Sequence, residues 1–241
     1  MSEFQESLWV DSQYARSYRD NAENFIIDRQ AHFFILRSFY RQFVGGGQGT
    51  KVLDLGCGDG ILTAQLLALD PTIQATLVDG SSDMLAAARE RLSGHPGLQT
   101  IQRSFEDLIR ESSALDQYHF VMSAFAIHHL YLADKAALFR RIFEHLASGG
   151  YFLNIDTVLP NDPAPTDWYY NLYREWIAER ERRLNLSQSF GHVPDEARYN
   201  PDNKLSTLAA QLEALKSIGF VEVECHYKYG IFVIYSGRKA E

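Results

Sequence analysis

The stretch VLDLGCGDG, residues 52–60, decides the fold of this chain. Its first half is a short apolar run of the kind that forms a buried strand, and the following ILTAQLLALD, residues 61–70, has the composition of a helix. Glycines between a strand and a helix let the backbone approach a ligand closely, where a side chain would collide. The first N–H groups of the helix have no intrahelical partner and are free to bind the ligand. The stretch therefore predicts a ligand site at the end of a strand.

The spacing of these glycines argues against a dinucleotide cofactor. Dinucleotide-binding loops follow the pattern G-x-G-x-x-G/A. Here the pattern is G-x-G-x-G, and Ile61 stands where the third small residue is needed. An acidic residue, Asp54, precedes the loop. This combination favours a ligand with an amino-acid moiety and no pyrophosphate.

Strands and helices alternate along the residues that follow. The patterns predict strands at 74–79, 98–103, 118–125 and 151–156, with helices at 82–92 and 134–146. Such alternation is typical of βαβ units and a parallel sheet. Near the C-terminus a helix is followed by two strands around Gly230, which predicts an antiparallel hairpin. The predicted fold class is therefore α/β: a doubly wound, mostly parallel sheet of seven strands with an antiparallel C-terminal hairpin strand, plus a helical cap.

Composition divides the chain into four segments. Residues 1–47 carry aromatic residues at helical spacing and end in a glycine run, which predicts one or two helices that form a lid. Residues 48–159 hold the ligand-binding core. Residues 160–203 begin with a proline-containing linker and are rich in Trp and Tyr, which predicts a helical cap inserted into the core. Residues 204–241 supply the helix and hairpin that complete the sheet.

The charge of the chain argues against nucleic acid as a partner. The formal net charge is −8, so the surface repels phosphates unless a basic patch is segregated. The dense basic cluster Arg180, Arg182 and Arg183 alternates with Glu179 and Glu181, a pattern typical of a solvated helix face. We therefore expect nucleic acid to be an unlikely substrate.

Three features predict a cytoplasmic location. No run of about 18 apolar residues is present, so we expect no membrane span. The N-terminal MSEFQESLWVDSQ lacks the basic and apolar regions of a signal peptide. The two cysteines, Cys57 and Cys225, lie far apart and have no metal-ligand spacing, which favours reduced thiols. A homodimer remains an open possibility.

The motifs resemble those of class I S-adenosylmethionine-dependent methyltransferases. LDLGCGDG is similar to motif I of that family. The landmarks LVDGSSDML, RSFEDL, YHFVMSAFAIHHL and LASGGYFLNID then follow in the family's order. The resemblance covers residues 50–156 strongly and the terminal hairpin loosely. It implies S-adenosyl-L-methionine as cofactor, S-adenosyl-L-homocysteine as product, and methyl transfer as the reaction.

The resemblance also implies a set of cofactor-binding residues. Asp79 would accept both ribose hydroxyls, because a carboxylate offers two acceptor oxygens. Ser104 stands where the family usually has an aspartate that takes the adenine amino group. Tyr18 and Arg29 of the N-terminal segment would cover the methionine part and pair with its carboxylate. The remaining members of the set are Gly56 and Gly58 beside the methionine, Gly80 and Met84 around ribose and adenine, Phe105, and Ser123 at the end of the fourth strand.

The acceptor is expected to be a small molecule bound beneath the aromatic cap. Its candidate contacts are Trp168, Tyr169, Tyr173, Arg198 and Lys204. A sulfonium methyl is already activated, so a general base is needed only when the acceptor arrives protonated. For that reason the sequence assigns no catalytic residue. His128 and His129 are adjacent and point in different directions, so no metal site is expected, and Asn154 and Asp156 are interpreted either as substrate contacts or as strand-end caps.

Three alternative functions remain open at this stage. One is an NAD-type oxidoreductase, which Ile61 and the terminal hairpin disfavour. A second is an enzyme that modifies the cofactor itself and resembles carboxy-S-adenosylmethionine synthase, with Lys204 near the position where that enzyme holds an extra carboxylate. The third is a tRNA-related methyltransferase, which the acidic composition disfavours.

Overall fold

A seven-stranded sheet forms the centre of the molecule. The computed structural model describes Phe4 and residues 7–110 and 116–241. The strand order is β3-β2-β1-β4-β5-β7-β6. The strands are β1 (Lys51–Leu55), β2 (Gln74–Asp79), β3 (Leu98–Gln102), β4 (Tyr118–Ala124), β5 (Leu146–Thr157), β6 (Phe220–Tyr229) and β7 (Phe232–Lys239).

The pairing of these strands confirms the predicted fold class. Strands β1 to β5 pair in parallel, whereas β7 runs antiparallel to both β5 and β6. Strand β5 begins at Leu146, earlier than the expected residue 151, because Leu146 pairs with Tyr118 before an irregularity in the register. The order reverses at β1 and β4, and open α/β sheets bind ligands in the crevice outside such a switch point.

Helices cover both faces of the sheet. Residues of α2, α3 and α4 pack against one face, around Leu36, Leu66 and Leu77. Residues of α6 and α9 pack against the other, around Phe139 and Phe152. The helices are α1 (Ser12–Phe25), α2 (Arg29–Phe39), α3 (Ile61–Leu67), α4 (Ser82–Arg91), α5 (Phe105–Arg110), α6 (Leu132–His145), α7 (Thr166–Leu184), α8 (Val193–Tyr199) and α9 (Leu208–Ile218).

The N-terminal helices form where the aromatic spacing predicts them. Asp11 begins α1, because its side chain accepts hydrogen bonds from two backbone N–H groups of the first turn. Helix α2 continues into a π-helical turn, Tyr40–Val44, and stops at Gly45. Phe39 and Tyr40 pack against Phe120 of β4 and so fix this helix on the sheet.

Helices α7 and α8 pack on the N-terminal helix and on the hairpin. A third apolar cluster joins Phe25 of α1, Tyr173 and Ile177 of α7, Phe190 and Phe232 of β7. The hydroxyl of Tyr173 donates a 2.8 Å hydrogen bond to the carbonyl of Phe25. The residues 160–203 therefore lie over the carboxyl end of β5 and the start of β7.

Three further observations concern the cysteines, membrane spans and metal sites. Cys57 is buried and Cys225 is partly exposed, and both thiols are free. Over residues 7–110 and 116–241, no helix has both the length and the apolar content needed to cross a bilayer. Within the same ranges, no group of three or more His, Cys, Asp or Glu side chains is arranged to hold a metal ion.

Candidate active site

A cavity of about 440 Å³ opens at the carboxyl ends of β1, β2 and β4. Pockets of about 300–1,000 Å³ are typical of small-molecule and cofactor sites. The site therefore lies at the switch point of the sheet. Its lining includes these residues that the sequence predicts for the cofactor: Tyr18, Arg29, Gly56, Gly58, Asp79, Gly80, Met84, Ser104 and Phe105.

The glycine loop reaches the cavity because Gly56 has no side chain. Its φ is +63°, a left-handed conformation that L side chains rarely adopt. A Cβ at this position would collide with the side chain of Ala126 and lie 3.1 Å from the ring of Phe105. The loop therefore packs directly against the turn after β4, and any substitution at Gly56 would push it into the cavity.

Asp79 ties the end of β2 to the glycine loop. One carboxylate oxygen accepts the N–H of Gly58 at 2.9 Å, and the other accepts the N–H of Ser81 at 2.8 Å. Burial raises the pKa of Asp79, and these two hydrogen bonds oppose the rise. Each carboxylate oxygen has two acceptor sites, so one on each remains for a ligand. A pair of ribose hydroxyls fits that arrangement.

Residues after β3 and at α4 form one end of the cavity. The hydroxyl of Ser104 accepts the N–H of Asp107 at 3.2 Å and so caps α5. Met84 is buried and lines the same cavity. The ring of Phe4 lies against Gly80, since a Cβ there would be 2.5 Å from that ring. The apolar side chains of Phe4, Met84 and Phe105 in this lining would suit the face of a purine.

Tyr18 and Arg29 close the cavity from the N-terminal side. Tyr18 packs edge-on against Trp9 at a centroid distance of 5.0 Å, and burial raises its pKa. The guanidinium of Arg29 lies 5.2 Å from the ring centre of Phe33 and 3.7 Å from a carboxylate oxygen of Glu23. Arg29 thus contributes a positive charge to the lining of the cavity.

A buried carboxyl group lies beneath the glycine loop. Asp54 is 1% exposed and accepts a 2.7 Å hydrogen bond from the hydroxyl of Thr63. Burial raises its pKa to about 7, although the bond from Thr63 opposes the rise. Because Asp54 also lines the cavity, a cation bound there would favour its ionised form.

A second, smaller cavity adjoins the first. Its volume is about 170 Å³. The residues that line both cavities, and so form the wall between them, are Trp9, Tyr18, Ile26, Phe125 and His129. The helices α1, α7 and α8 enclose the smaller cavity with residues that include Tyr14, Tyr173, Phe190, Glu196, Ala197 and Phe232.

Phe125, in the wall between the cavities, has a strained backbone. Its φ is +51°, which is rare for a bulky residue. The backbone N–H donates to the carbonyl of Ile155 at 2.8 Å. Its ring is 6.0 Å from that of His32 and 6.1 Å from that of Phe232. Phe125 therefore bridges the lid helix, the sheet and the hairpin.

Two histidines follow β4 and make different contacts. His128 forms a buried 2.6 Å pair with Asp156. His129 accepts the indole N–H of Trp9 at 2.8 Å, and its other ring nitrogen donates to the carbonyl of Asp202 at 3.1 Å. Burial lowers the pKa of His129 well below its ordinary value. His129 is therefore neutral near pH 7, with its proton on Nδ1.

A buried lysine holds the turn that carries these histidines. The ammonium group of Lys135 donates to the carbonyl of Leu130 and, at 2.6 Å, to that of Lys204. The N–H of Lys204 in turn donates to the carbonyl of His128 at 2.8 Å. Burial lowers the pKa of Lys135 to about 8. These bonds join the turn after β4 to the segment that precedes α9.

Comparison with known proteins identifies the core of this molecule. Residues 53–152 match a family model described as a methyltransferase domain. Over these residues the chain is similar to a methyltransferase domain. The matched residues run from β1 into β5 and contain the glycine loop, Asp79 and Ser104.

Relatives of this methyltransferase domain share part of its sequence. A malonyl-acyl-carrier-protein O-methyltransferase of Halalkalibacterium halodurans is 36% identical over 72 residues, which is 30% of this chain and 27% of the relative. A trans-aconitate 2-methyltransferase of Acidovorax sp. strain JS42 is 35% identical over 104 residues, which is 41% of this chain and 35% of the relative. The chain thus spans about a third or less of the length of these curated relatives.

Solved structures share the fold more completely than the sequence. An O-methyltransferase family protein from Burkholderia thailandensis superposes with a TM-score of 0.67 at 15% identity. The superposition covers 98% of this chain and 63% of that one. The likeness extends beyond the methyltransferase domain to the N-terminal and cap helices.

Ser123 does not reach the cavity of the methyltransferase domain. Its side chain is fully buried and its hydroxyl donates a 2.7 Å hydrogen bond to the carbonyl of Leu55. Ala124 and Phe125, the next residues, line the cavity instead. The structure therefore gives Ser123 the role of joining β4 to β1, which differs from the expected contact with the cofactor.

Of the predicted acceptor residues, the structure places some in the lining of the two cavities and others outside both. Tyr173 lines the smaller cavity and Lys204 lines the larger one. Trp168 is 60% exposed and lies outside the lining of both. Tyr169 lies under the ammonium group of Lys228, outside both cavities.

Arg198 also differs from its expected position. Its guanidinium pairs with Asp167 at 2.7 Å and lies over the ring of Tyr170, outside both cavities. It therefore stabilises the contact between α7 and α8. Asn154 and Asp156 are fully buried and hydrogen-bond to each other, which favours their interpretation as internal caps.

Several residues of these cavities were not assigned to a site by the sequence analysis, and four of them matter most for the arguments below. They are Trp9, His32, Phe125 and, as a cavity residue, His129. Trp9 belongs to no motif, and Phe125 lies in the quoted stretch after the fourth strand without being singled out there; each reaches the site through contacts distant in the chain. For His32 the available signal was its position one helical turn after Arg29, on the same face of a helix.

Proposed function

We propose that this protein transfers a methyl group from S-adenosyl-L-methionine to a small-molecule acceptor, releasing S-adenosyl-L-homocysteine. One observation carries the proposal. A cavity of cofactor size, built on the glycine loop and Asp79, shares a wall with a second cavity of about 170 Å³. Methyl transfer needs two such sites side by side, because acceptor and methyl group must meet in line.

The larger cavity suits the cofactor from end to end. Its walls beside Met84, Ser104 and Phe105 would hold adenine, and the free acceptor sites of Asp79 would bind the ribose. The glycine loop and Arg29 would bind the methionine part. S-adenosylmethionine supplies a methyl group already activated by its sulfonium charge.

The wall between the cavities supports transfer of a cationic methyl group. The rings of Trp9, Tyr18 and Phe125 line both sides of this wall. Aromatic faces attract cations, and the attraction strengthens where water is excluded. These rings would therefore favour the sulfonium and keep water from it. His129, whose Nε2 is an acceptor at the same wall, would take a proton from an acceptor that arrives as a hydroxyl.

The smaller cavity favours an uncharged acceptor. Within the described part of the chain, its lining contains no lysine or arginine. It contains one carboxylate, that of Glu196, and histidines of which His129 is neutral near pH 7. A polyanion would find no counter-charge there, and burying an unpaired charge is unfavourable. We therefore propose an acceptor unlike trans-aconitate, the acid named for one relative.

A cytoplasmic site of action follows from the same proposal. Both cysteines are free thiols, as is usual in a reducing compartment. A metabolite acceptor and a soluble cofactor would meet the protein there. Nucleic acid remains the disfavoured substrate, because the net charge is −8.

The test is transfer of a labelled methyl group into fractionated cell extract. The extract is first separated at pH 8 into an anion-exchange-bound fraction and an unbound fraction, with total tRNA and protein assayed separately. Label is expected in the unbound small molecules, and Asp79→Asn serves as the impaired control. Label only in the bound fraction would overturn the uncharged acceptor. Label only in macromolecules, falling steeply with salt, would overturn a small-molecule acceptor.

A second measurement tests the cofactor itself. Mass spectrometry of the nucleoside that copurifies with the protein separates S-adenosylmethionine, S-adenosylhomocysteine and a carboxylated form. Under the proposal, we expect S-adenosylmethionine or S-adenosylhomocysteine to copurify. The carboxylated form, with no label transferred to any fraction, would instead support an enzyme that modifies its cofactor.

A further inference from the structure

His32 is a buried imidazole with no hydrogen bond. It lies on α2, is 1% exposed and lines the larger cavity. Among the described residues, neither of its ring nitrogens has a partner. Buried polar atoms are paired in the great majority of cases, so such an atom facing a cavity needs an explanation. A ligand in the cavity would supply the missing partner.

Two aromatic side chains pack against the ring of His32. Tyr227 packs edge-on against it at a centroid distance of 5.0 Å, and Phe125 lies at 6.0 Å. The hydroxyl of Tyr227 is directed to Asp28, at 3.2 Å, and so does not serve the imidazole. The ring is therefore held by apolar surfaces, and the cavity is where its polar atoms find a partner.

The protonation state of His32 defines what it offers. Its pKa is lowered to about 4, chiefly by burial; the carboxylate of Asp28 opposes this fall and the guanidinium of Arg29 adds to it. The neutral ring carries one N–H donor and one bare acceptor nitrogen. It therefore suits a ligand that presents an acceptor such as a carboxylate oxygen.

The position of His32 indicates which part of the ligand it meets. Arg29 lies one turn earlier on α2 and lines the same cavity, with its side chain 16% exposed. His32 lines the larger cavity but not the smaller one. The residues suited to adenosine come from other elements: Asp79 ends β2 and Ser104 follows β3.

We infer that His32 donates a hydrogen bond to the carboxylate of the methionine part of the cofactor, beside the guanidinium of Arg29. This assignment rests on the proposed function. A guanidinium and an imidazole N–H on successive turns of one helix would hold the carboxylate from two directions. Because a neutral donor adds no second charge, the site remains compatible with the cationic ammonium and sulfonium of the same ligand.

The test compares two ligands that differ by the amino-acid moiety. S-adenosylhomocysteine carries the carboxylate, whereas 5′-methylthioadenosine keeps the adenosine and sulfur without it. Calorimetry measures both with the natural protein, His32→Leu and His32→Gln. A control variant, His226→Leu, removes an imidazole that hydrogen-bonds Ser236 outside both cavities.

His32→Leu is expected to weaken S-adenosylhomocysteine about ten- to a hundredfold, the usual effect of a hydrogen bond to a charged group. Its affinity for 5′-methylthioadenosine should change less than about twofold. His32→Gln keeps an N–H donor and should recover part of the loss. The unliganded His32→Leu protein should unfold at no lower temperature, because the unpaired polar atoms are gone.

Other outcomes separate the inference from the proposed function. Equal loss of both ligands, or no loss of S-adenosylhomocysteine, would overturn the role of His32. If the natural protein binds both ligands equally, the amino-acid part is not recognised and the assignment also fails. If it binds neither ligand, the proposed cofactor is wrong as well.

Discussion

Trp9 and His129, 120 positions apart in the chain, are joined by a 2.8 Å hydrogen bond in which the indole N–H donates to Nε2. The carbonyl of Asp202 accepts from Nδ1 at 3.1 Å and so fixes the tautomer. The N-terminal segment is thereby fastened to the turn after β4. An acceptor that uses Nε2 of His129 must first displace the indole.

Trp9→Phe is expected to loosen the N-terminal segment. The substitution keeps the ring but removes the donor, and a lost hydrogen bond costs about 1 kcal/mol. Local opening of residues 8–20 should become about fivefold more frequent, because 1 kcal/mol corresponds to about that factor. Hydrogen exchange of their amides measures this. Trp168→Phe, at a 60% exposed ring outside both cavities, is the control; equal exchange in both variants would contradict the prediction.

Asp79→Asn is expected to weaken binding of S-adenosylhomocysteine by about ten- to a hundredfold. Loss of the charged acceptor removes about 1.5–3 kcal/mol, and the bond to the N–H of Gly58 is weakened as well. Calorimetry gives the affinity, and circular dichroism should show that the fold persists. Asp83→Asn, on the exposed first turn of α4, should bind like the natural protein. Unchanged affinity in Asp79→Asn would rule out this carboxylate as the ribose ligand.

The buried carboxyl of Asp54 predicts a pH dependence of stability. Its pKa is raised from 3.8 to about 7 by burial. Between about pH 4 and 7 the native state keeps a proton that the unfolded state has released, so the free energy of unfolding falls as the pH rises. Asp54→Asn should remove this part of the slope, which is on the order of a few kcal/mol.

Urea denaturation at several pH values measures that slope. As the pH rises from 4 to 7, the free energy of unfolding of the natural protein should fall relative to that of Asp54→Asn. Asp83→Asn should keep the natural slope, since Asp83 is exposed. Parallel curves for Asp54→Asn and the natural protein would show that Asp54 does not titrate in this window.

Ala197→Leu is expected to block the acceptor while sparing the cofactor. Ala197 lines the smaller cavity but not the larger one. Three added carbon atoms would occupy much of a 170 Å³ space, and leucine is well tolerated in helices. Transfer of labelled methyl groups to the small-molecule fraction should fall at least about tenfold, with S-adenosylhomocysteine affinity unchanged. Trp168→Ala should retain transfer; a loss there and none in Ala197→Leu would place the acceptor elsewhere.

The larger cavity could largely be located from the sequence, because many of the residues that line it follow strand ends in local motifs. The glycine loop and Asp79 lie immediately after β1 and at the end of β2. Ser123 differs because successive strand residues face opposite sides. It lies one residue before Ala124, which does line the cavity. A shift of one position on a strand therefore exchanges a side chain that lines the cavity for one that is hydrogen-bonded internally.

The acceptor side could not be predicted to the same extent, because it depends on which face of α7 turns inward. Tyr170, Tyr173 and Ile177 form the buried stripe, whereas Trp168 points outward. Aromatic residues occupy both faces, so spacing alone did not choose between them. Trp9 and His32 were missed because their contacts join segments about 100 or more positions apart.

At Phe125 a strained backbone conformation is retained together with an aromatic ring that separates the two cavities, and protein engineering can test this trade-off. A bulky residue with φ of +51° holds the molecule about 1–3 kcal/mol above a relaxed alternative. Glycine at this position would relieve the backbone but delete the ring that separates the two cavities. Selection for thermostability alone would therefore favour variants at this position that join the two cavities. In such variants, solvent would reach the place proposed for the sulfonium. Screens for a more robust form of this protein should score turnover alongside melting temperature at residue 125.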